Sequence, residues 1–197
     1  MKISAILVIV AVLLIAFFVF GKGKVTGNTT GDTTMADSKK IKFETTEGNF
    51  VIKLYDDMPI TTGNFVKLVN QGFYDGVLFH RVIDGFMIQG GDPLTKDASK
   101  ERLWGTGGPG YNIQDEFTHK GGNKNNRGTI SMANSGPNTG GSQFFINTIN
   151  NNFLDTKHPA FGEVIQGMDV VDKISKVEVD SSDRPLEPVK IIKASLV

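Results

Sequence analysis

Apolar and polar positions divide the chain into three stretches. Residues 3–20, ISAILVIVAVLLIAFFVF, carry no charge. As a helix they would reach about 27 Å, close to the hydrocarbon thickness of a bilayer. Residues 21–38 are Gly, Thr, Asn and Asp with almost no apolar content, the composition of a flexible linker. From residue 39 onward apolar positions recur with short periods, and a globular domain is expected over 39–197.

Within that domain, IKFETTEGNFVIKLYD (41–56) alternates around Glu47-Gly48 and predicts a hairpin, with Phe43, Phe50, Ile52 and Leu54 facing inward. After Pro59, Phe65, Leu68 and Val69 fall at helical spacing and the pattern stops at Gly72. VLFHRVI (77–83) and FMIQGG (86–91) predict strands joined at Asp84-Gly85. Residues 92–128 are rich in Gly, Asn and charge, and predict either long functional loops or a disordered insert. Further strands are expected at 129–134, 142–148, 161–165 and 188–197, and a second helix at 167–177 through Met168, Val171 and Ile174. The sum is about eight short strands and two helices without strand–helix alternation. That is a mainly β class: a closed or nearly closed antiparallel barrel capped by two helices, preceded by an N-terminal hydrophobic anchor helix.

Charge and composition narrow the chemistry. The chain has 21 basic and 21 acidic residues. Removing Lys2, Lys22, Lys24, Asp32 and Asp37 leaves 18 and 19 for the domain. A near-neutral domain argues against general nucleic-acid binding. The absence of cysteine excludes disulfides, thiolate zinc sites and Cys nucleophiles. His80, His119 and His158 lie far apart without metal-ligand spacing. Gly105-Thr106-Gly107-Gly108-Pro109-Gly110 fits a dinucleotide-binding fingerprint by letters only. KERLW precedes it instead of a hydrophobic strand, so a tight turn or groove edge is expected. Ser142, in GGSQF, is not in a nucleophile elbow.

Polar residues inside aromatic strands stand out. FHRVIDGFMIQGGD (79–92) places Arg81 and Gln89 on either side of the Asp84-Gly85 turn, with Phe86 and Met87 between that turn and Gln89. SMANSGPNTGGSQFF (131–145) adds Asn134 and Gln143 beside Phe144 and Phe145, and FLDTKHPAFGEV (153–164) adds Phe153, Leu154 and His158. Singly these read as ordinary solvent-facing positions; together they describe an apolar groove with a few fixed donors.

These segments, with GTGGPGY (105–111), resemble the cyclophilin family of peptidyl-prolyl cis-trans isomerases in order and spacing, over about 42–197. The resemblance implies an eight-stranded barrel and isomerisation of X-Pro bonds in polypeptides without a cofactor. It implies Arg81 as the catalytic residue and Phe86, Met87, Phe145, Leu154 and His158 as a proline pocket. Gln89, Ala133, Asn134 and Gln143 would contact the peptide backbone. Phe153 stands where many members carry a tryptophan that contacts cyclosporin, so the drug is expected to bind with weakened affinity. A monomer is expected. The N-terminus adds the expectation of a membrane-anchored or exported, prokaryotic-type member. Residues 3–20 would be a single-pass anchor in the cytoplasmic membrane with the domain outside, or a cleaved signal that leaves the domain secreted. Two other readings remain: a module that binds proline-containing segments without turnover, and a lipocalin-like carrier.

Overall fold

A computed structural model describes residues 39–197. The expected anchor at 3–20 and linker at 21–38 lie outside the described residues. Among the described residues, no helix is long and apolar enough to cross a membrane.

Eight strands form one antiparallel sheet: β1 (Lys40–Thr45), β2 (Gly48–Leu54), β3 (Arg81–Ile83), β4 (Met87–Gly90), β5 (Thr129–Met132), β6 (Phe144–Asn147), β7 (Ala160–Gln166) and β8 (Ile191–Leu196). Their order is β3-β4-β6-β5-β7-β2-β1-β8. The sheet curls until its two edges meet. Residues just ahead of β3 bond to those around the start of β8: Phe79 N donates to Val189 O at 2.9 Å, and Ile191 N to Val77 O at 2.8 Å. A single bridge, Leu78–Lys190, lies between these bonds.

This corrects one expected strand. Of 77–83, only Arg81–Ile83 joins the β4 ladder; 77–79 serve the seam instead. The β3–β4 turn is also longer than expected. Ile83 opposes Met87, leaving Asp84, Gly85 and Phe86 in the turn, and Gly85 takes φ +67°. Phe86 is therefore released from the ladder.

Alternation explains the core. Phe43, Phe50, Ile52 and Leu54 are all buried, and Phe43 stacks on its cross-strand partner Phe50 at 4.8 Å. Helix α1 (Pro59–Asn70) inserts Phe65 among Phe43, Tyr74, Phe144 and Phe161, an aromatic cluster in the core. Its first turn has no local side-chain cap. Glu116, 55 residues further on, accepts from Thr61 N at 2.8 Å and fills that role. Helix α2 (Met168–Ser175) buries Val171 and Ile174 in the same core. It starts at Gly167, φ +78°, where a Cβ would collide with the β2 backbone at Asn49 O.

The 92–128 segment is tied down by carboxylates. Asp92 is fully buried, and Oδ2 accepts from Gly105 N at 2.6 Å and Gly107 N at 3.1 Å, while Oδ1 accepts from Leu94 N at 2.7 Å. Asp57 pairs with His119 Nδ1 at 2.9 Å and accepts from Lys120 N at 2.8 Å. Those contacts, the backbone N–H first, lower the Asp57 pKa.

Candidate active site

Strand register builds the site. Arg81 opposes Gln89, Gln89 opposes Phe145, and Phe145 opposes Ser131, a row crossing β3, β4, β6 and β5. Directly paired residues share a face. Val82, Ile88, Ile146 and Ile130 form the neighbouring row, and all four lie in the core. Arg81, Gln89 and Phe145 therefore occupy the outer face. Met87, two residues from Gln89, shares it.

Loops wall that face, which is why Met87 and Phe145 are buried although they point away from the barrel. His158 packs edge-on against Phe145, with centroids 5.4 Å apart, and its Nδ1 lies 3.0 Å from Met132 O. A carbonyl only accepts, so Nδ1 carries the hydrogen. The segment bearing Leu154 and His158 is held by asparagines. Asn125 N donates to Asp155 Oδ1 at 2.6 Å, and Asn123 Oδ1 accepts from Ala160 N at 2.7 Å. Leu154 is half-buried, and its carbonyl accepts from His158 N at 3.0 Å. Phe153 stands apart, 69% exposed, stacked on Phe86 at 6.0 Å.

A cavity of about 650 Å³ adjoins this surface. Gln89, Ala133, Asn134 and Gln143 line it, together with 105–112. Arg81, Phe86, Met87, Phe145, Phe153, Leu154 and His158 do not. The expected residues thus form two adjoining parts, one polar and one apolar with Arg81 at its edge, bridged by the Gln89–Phe145 pair. Gln89 Nε2 donates to Gln143 Oε1 at 2.9 Å, and Gln143 Nε2 donates to the carbonyls of Gly105 and Gly107, each at 2.9 Å. Ala133 N donates to Gln143 O at 3.0 Å. The Asn134 side chain spans Lys157 O at 2.9 Å and Gly136 N at 3.2 Å. Among the described residues, no hydrogen bond occupies the main-chain N–H or C=O of Asn134. Those two groups are free for an extended chain in the groove. The glycine run edges the cavity, and Asp92 already occupies the Gly105 and Gly107 N–H groups that a phosphate would need.

Arg81 is exposed, and its Nε lies 3.5 Å from Asp183 Oδ2. Its chain neighbour His80 is buried, and among the described residues neither ring nitrogen has a hydrogen-bond partner. Burial pushes the His80 pKa down to about 4, so His80 adds no positive charge beside Arg81 at neutral pH. Ser142 is buried and donates to Gly91 O at 2.8 Å, a structural bond.

Sequence reasoning missed Asp92, Asn123, Asn125 and Asp183. Asp92 carried one signal, since it precedes Pro93 as an N-cap and accepts from Leu94 N. The two asparagines sit in a Gly- and Asn-rich stretch and carried none.

The family model for the "Cyclophilin type peptidyl-prolyl cis-trans isomerase/CLD" matches residues 40–196. Peptidyl-prolyl cis-trans isomerase ppi1 of Schizosaccharomyces pombe is 44% identical over 159 residues, covering 78% of this chain and 96% of that protein. Peptidyl-prolyl cis-trans isomerase CYP71 of Arabidopsis thaliana is 46% identical over 159 residues, covering 80% of this chain. The chain spans only 24% of CYP71 and 24% of a second S. pombe relative, peptidyl-prolyl cis-trans isomerase 9. A crystal structure of a Cryptosporidium parvum cyclophilin type peptidyl-prolyl cis-trans isomerase superimposes with TM-score 0.73 at 30% identity, covering 81% of this chain and 98% of that one. The same protein was also crystallised in the presence of the dipeptide Ala-Pro. With a family match over nearly all of 39–197, and the Arg81–Gln89–Phe145 row in place, this chain belongs to the cyclophilin-type peptidyl-prolyl cis-trans isomerases, an enzyme family.

Proposed function

We propose that the 39–197 domain accelerates rotation about X-Pro bonds of polypeptides, with Arg81 as the catalytic residue. An X-Pro bond rotates over a barrier of about 18–20 kcal/mol that arises from amide resonance. No bond breaks, so the reaction requires no nucleophile, metal or cofactor. At the twisted transition state the prolyl nitrogen regains its lone pair and becomes an acceptor. A donor aimed there binds the transition state better than either planar form. Arginine suits the task because it only donates and stays charged.

One charged hydrogen bond contributes about 1.5–3 kcal/mol, whereas an acceleration of about 10⁵ needs about 7. The apolar pocket of Phe86, Met87, Phe145, Leu154 and His158 supplies a further part. It grips the ring while the acyl side turns, and favours the less dipolar twisted amide. Gln89, Ala133, Asn134 and Gln143 hold the flanking backbone. The single observation that carries this reading is the in-register row Arg81–Gln89–Phe145, which sets a cation beside an apolar floor on one face. A protease-coupled assay on a proline peptide tests it. Acceleration by the domain is expected; binding without acceleration would make it a recognition module.

The setting we infer is assistance to exported or membrane-associated proteins, by a monomeric domain tethered outside the cytoplasmic membrane. Its support is the uncharged run 3–20 after a two-residue basic start, followed by the polar linker 21–38. The relatives named above are eukaryotic and lend nothing to a prokaryotic-type assignment. Protease added to intact cells should clip the linker and release an active domain. A domain that survives until lysis faces the cytoplasm. Mature protein beginning near Lys22 and free in the medium would mean the run is a cleaved signal.

A further inference from the structure

We propose that Asp183 is a positioning residue for Arg81, an anionic anchor that aims the guanidinium into the groove. The proposal rests on the reading that Arg81 donates to the prolyl nitrogen. Arg81 opens β3, an edge strand of the sheet, and is half-exposed. A long side chain in that position samples many rotamers unless something holds it. Among the described residues its only ion pair is with Asp183, Nε to Oδ2 at 3.5 Å. A carboxylate on the Nε side draws the guanidinium toward the Asp183 turn by charge attraction. The two terminal NH₂ groups remain as donors.

The carboxylate is itself fixed. Asp183 has φ +61°, a left-handed conformation that Asp tolerates better than most non-glycine residues. Asp180 closes the turn that imposes it: Oδ1 accepts from Ser182 N at 2.7 Å and Arg184 N at 3.0 Å, and its carbonyl accepts from Asp183 N at 3.1 Å. These N–H groups lower the Asp180 pKa, so the carboxylate that closes the turn stays charged. Asp183 O accepts from Val82 N at 2.8 Å, which stitches the turn to β3 one residue from Arg81. Arg184 carries the tie further. It pairs with Glu101 at 3.1 Å and lies 5.9 Å over the Trp104 ring, one residue before Gly105 at the groove edge. The anchor is thus a braced turn and not a loose surface acid.

A positioning role has a kinetic signature. The bond to the prolyl nitrogen exists only at the twisted transition state, while the pocket and backbone contacts hold both ground states. Misaiming Arg81 should therefore lower kcat and spare KM. Asp183→Asn removes the charge while keeping size and tolerance of the left-handed backbone. The expected result is a kcat lower by about 1.4- to fivefold, the range for an exposed ion pair, with KM and melting temperature unchanged. In the Arg81→Ala background the same substitution should have no further effect. As a readout independent of turnover, the Arg81 Nε–H nitrogen-15 resonance should shift and broaden in Asp183→Asn.

A native kcat with an unmoved Nε–H signal, while Arg81→Ala is impaired, overturns the positioning role alone. An equal loss in both backgrounds overturns it too, because Asp183 would then act through the fold. Full activity of Arg81→Ala overturns the role of Arg81 itself, and this one with it.

Discussion

Asp92→Asn is the perturbation through which the loop chemistry can be measured. The buried carboxylate receives three backbone N–H groups, from Leu94, Gly105 and Gly107. An amide has one acceptor oxygen, and its NH₂ would face the remaining donors. Keeping Leu94 on the oxygen takes the carboxylate away from the part-buried Gly105 and Gly107 N–H groups. At about 1.5–3 kcal/mol for each hydrogen bond to a charged group, and with losses that share a site adding incompletely, the expected destabilisation is about 2–4 kcal/mol. That is a large share of the roughly 5–15 kcal/mol of a typical domain.

The same loop offers the Gly105 and Gly107 carbonyls to Gln143, which holds Gln89. Loss of that neutral bonding should lower kcat/KM by about two- to twelvefold. Trp104, the only tryptophan, donates to Leu94 O at 3.1 Å and reports on the loop directly. Urea denaturation followed by its fluorescence should give a lower midpoint with an unchanged m-value. Gly107→Ala should do the same, since a Cβ there collides with Asp92 Oδ1. Asp97→Asn, whose carboxylate caps the exposed Ser99 and pairs with the exposed Lys100 on the same segment, should cost far less. Equal midpoints for Asp92→Asn and Asp97→Asn would refute the anchoring role of Asp92.

Three further outcomes are expected. His80, at about 4 when folded against an ordinary 6.5, stays neutral while the unfolded chain takes up a proton, so stability present above about pH 6.5 is lost as pH falls toward about 4, by about 3 kcal/mol; thermal melts of His80→Gln should lack that slope, and equal slopes would place the titration elsewhere. Phe153→Trp supplies an indole N–H and should tighten cyclosporin binding by about 5- to 150-fold while isomerase activity stays within a few-fold, as drug titration of both proteins would show. Deleting residues 1–38 should leave a fully active domain that elutes as a monomer, and aggregation or loss of activity would assign the N-terminus a structural role.

The β1–β2 hairpin and both helices were legible because their periods are local. Phe43 and Phe50 alternate in register, and Phe65, Leu68 and Val69 recur at helical spacing. The run 77–83 was not legible, since one apolar stretch serves two partners: 77–79 close the sheet against the start of β8 and 81–83 join β4. Periodicity reports which face is buried, not which strand lies alongside. Residues 92–128 hid their order for another reason. They are held by single polar contacts over long separations, such as Glu116 to Thr61 and Asp57 to His119, and such contacts leave no repeating pattern. In the site, the motifs supplied the identities of Arg81, Gln89 and Phe145, and the strand register supplied their common face. The Asp183 partner of Arg81 lies 102 positions along the chain, on a turn whose left-handed backbone only the fold reveals.

The central claim is that a groove cation aimed at the prolyl nitrogen lowers the rotational barrier. Its most direct test is kcat/KM of Arg81→Ala in the protease-coupled assay, with unfolding monitored in parallel. Arg81 is exposed and at a strand end, so stability should hardly change. Activity should fall by about tenfold to a hundredfold, the worth of one charged hydrogen bond, and Arg81→Lys should recover only part of it. A folded Arg81→Ala protein with native kcat/KM would contradict the account.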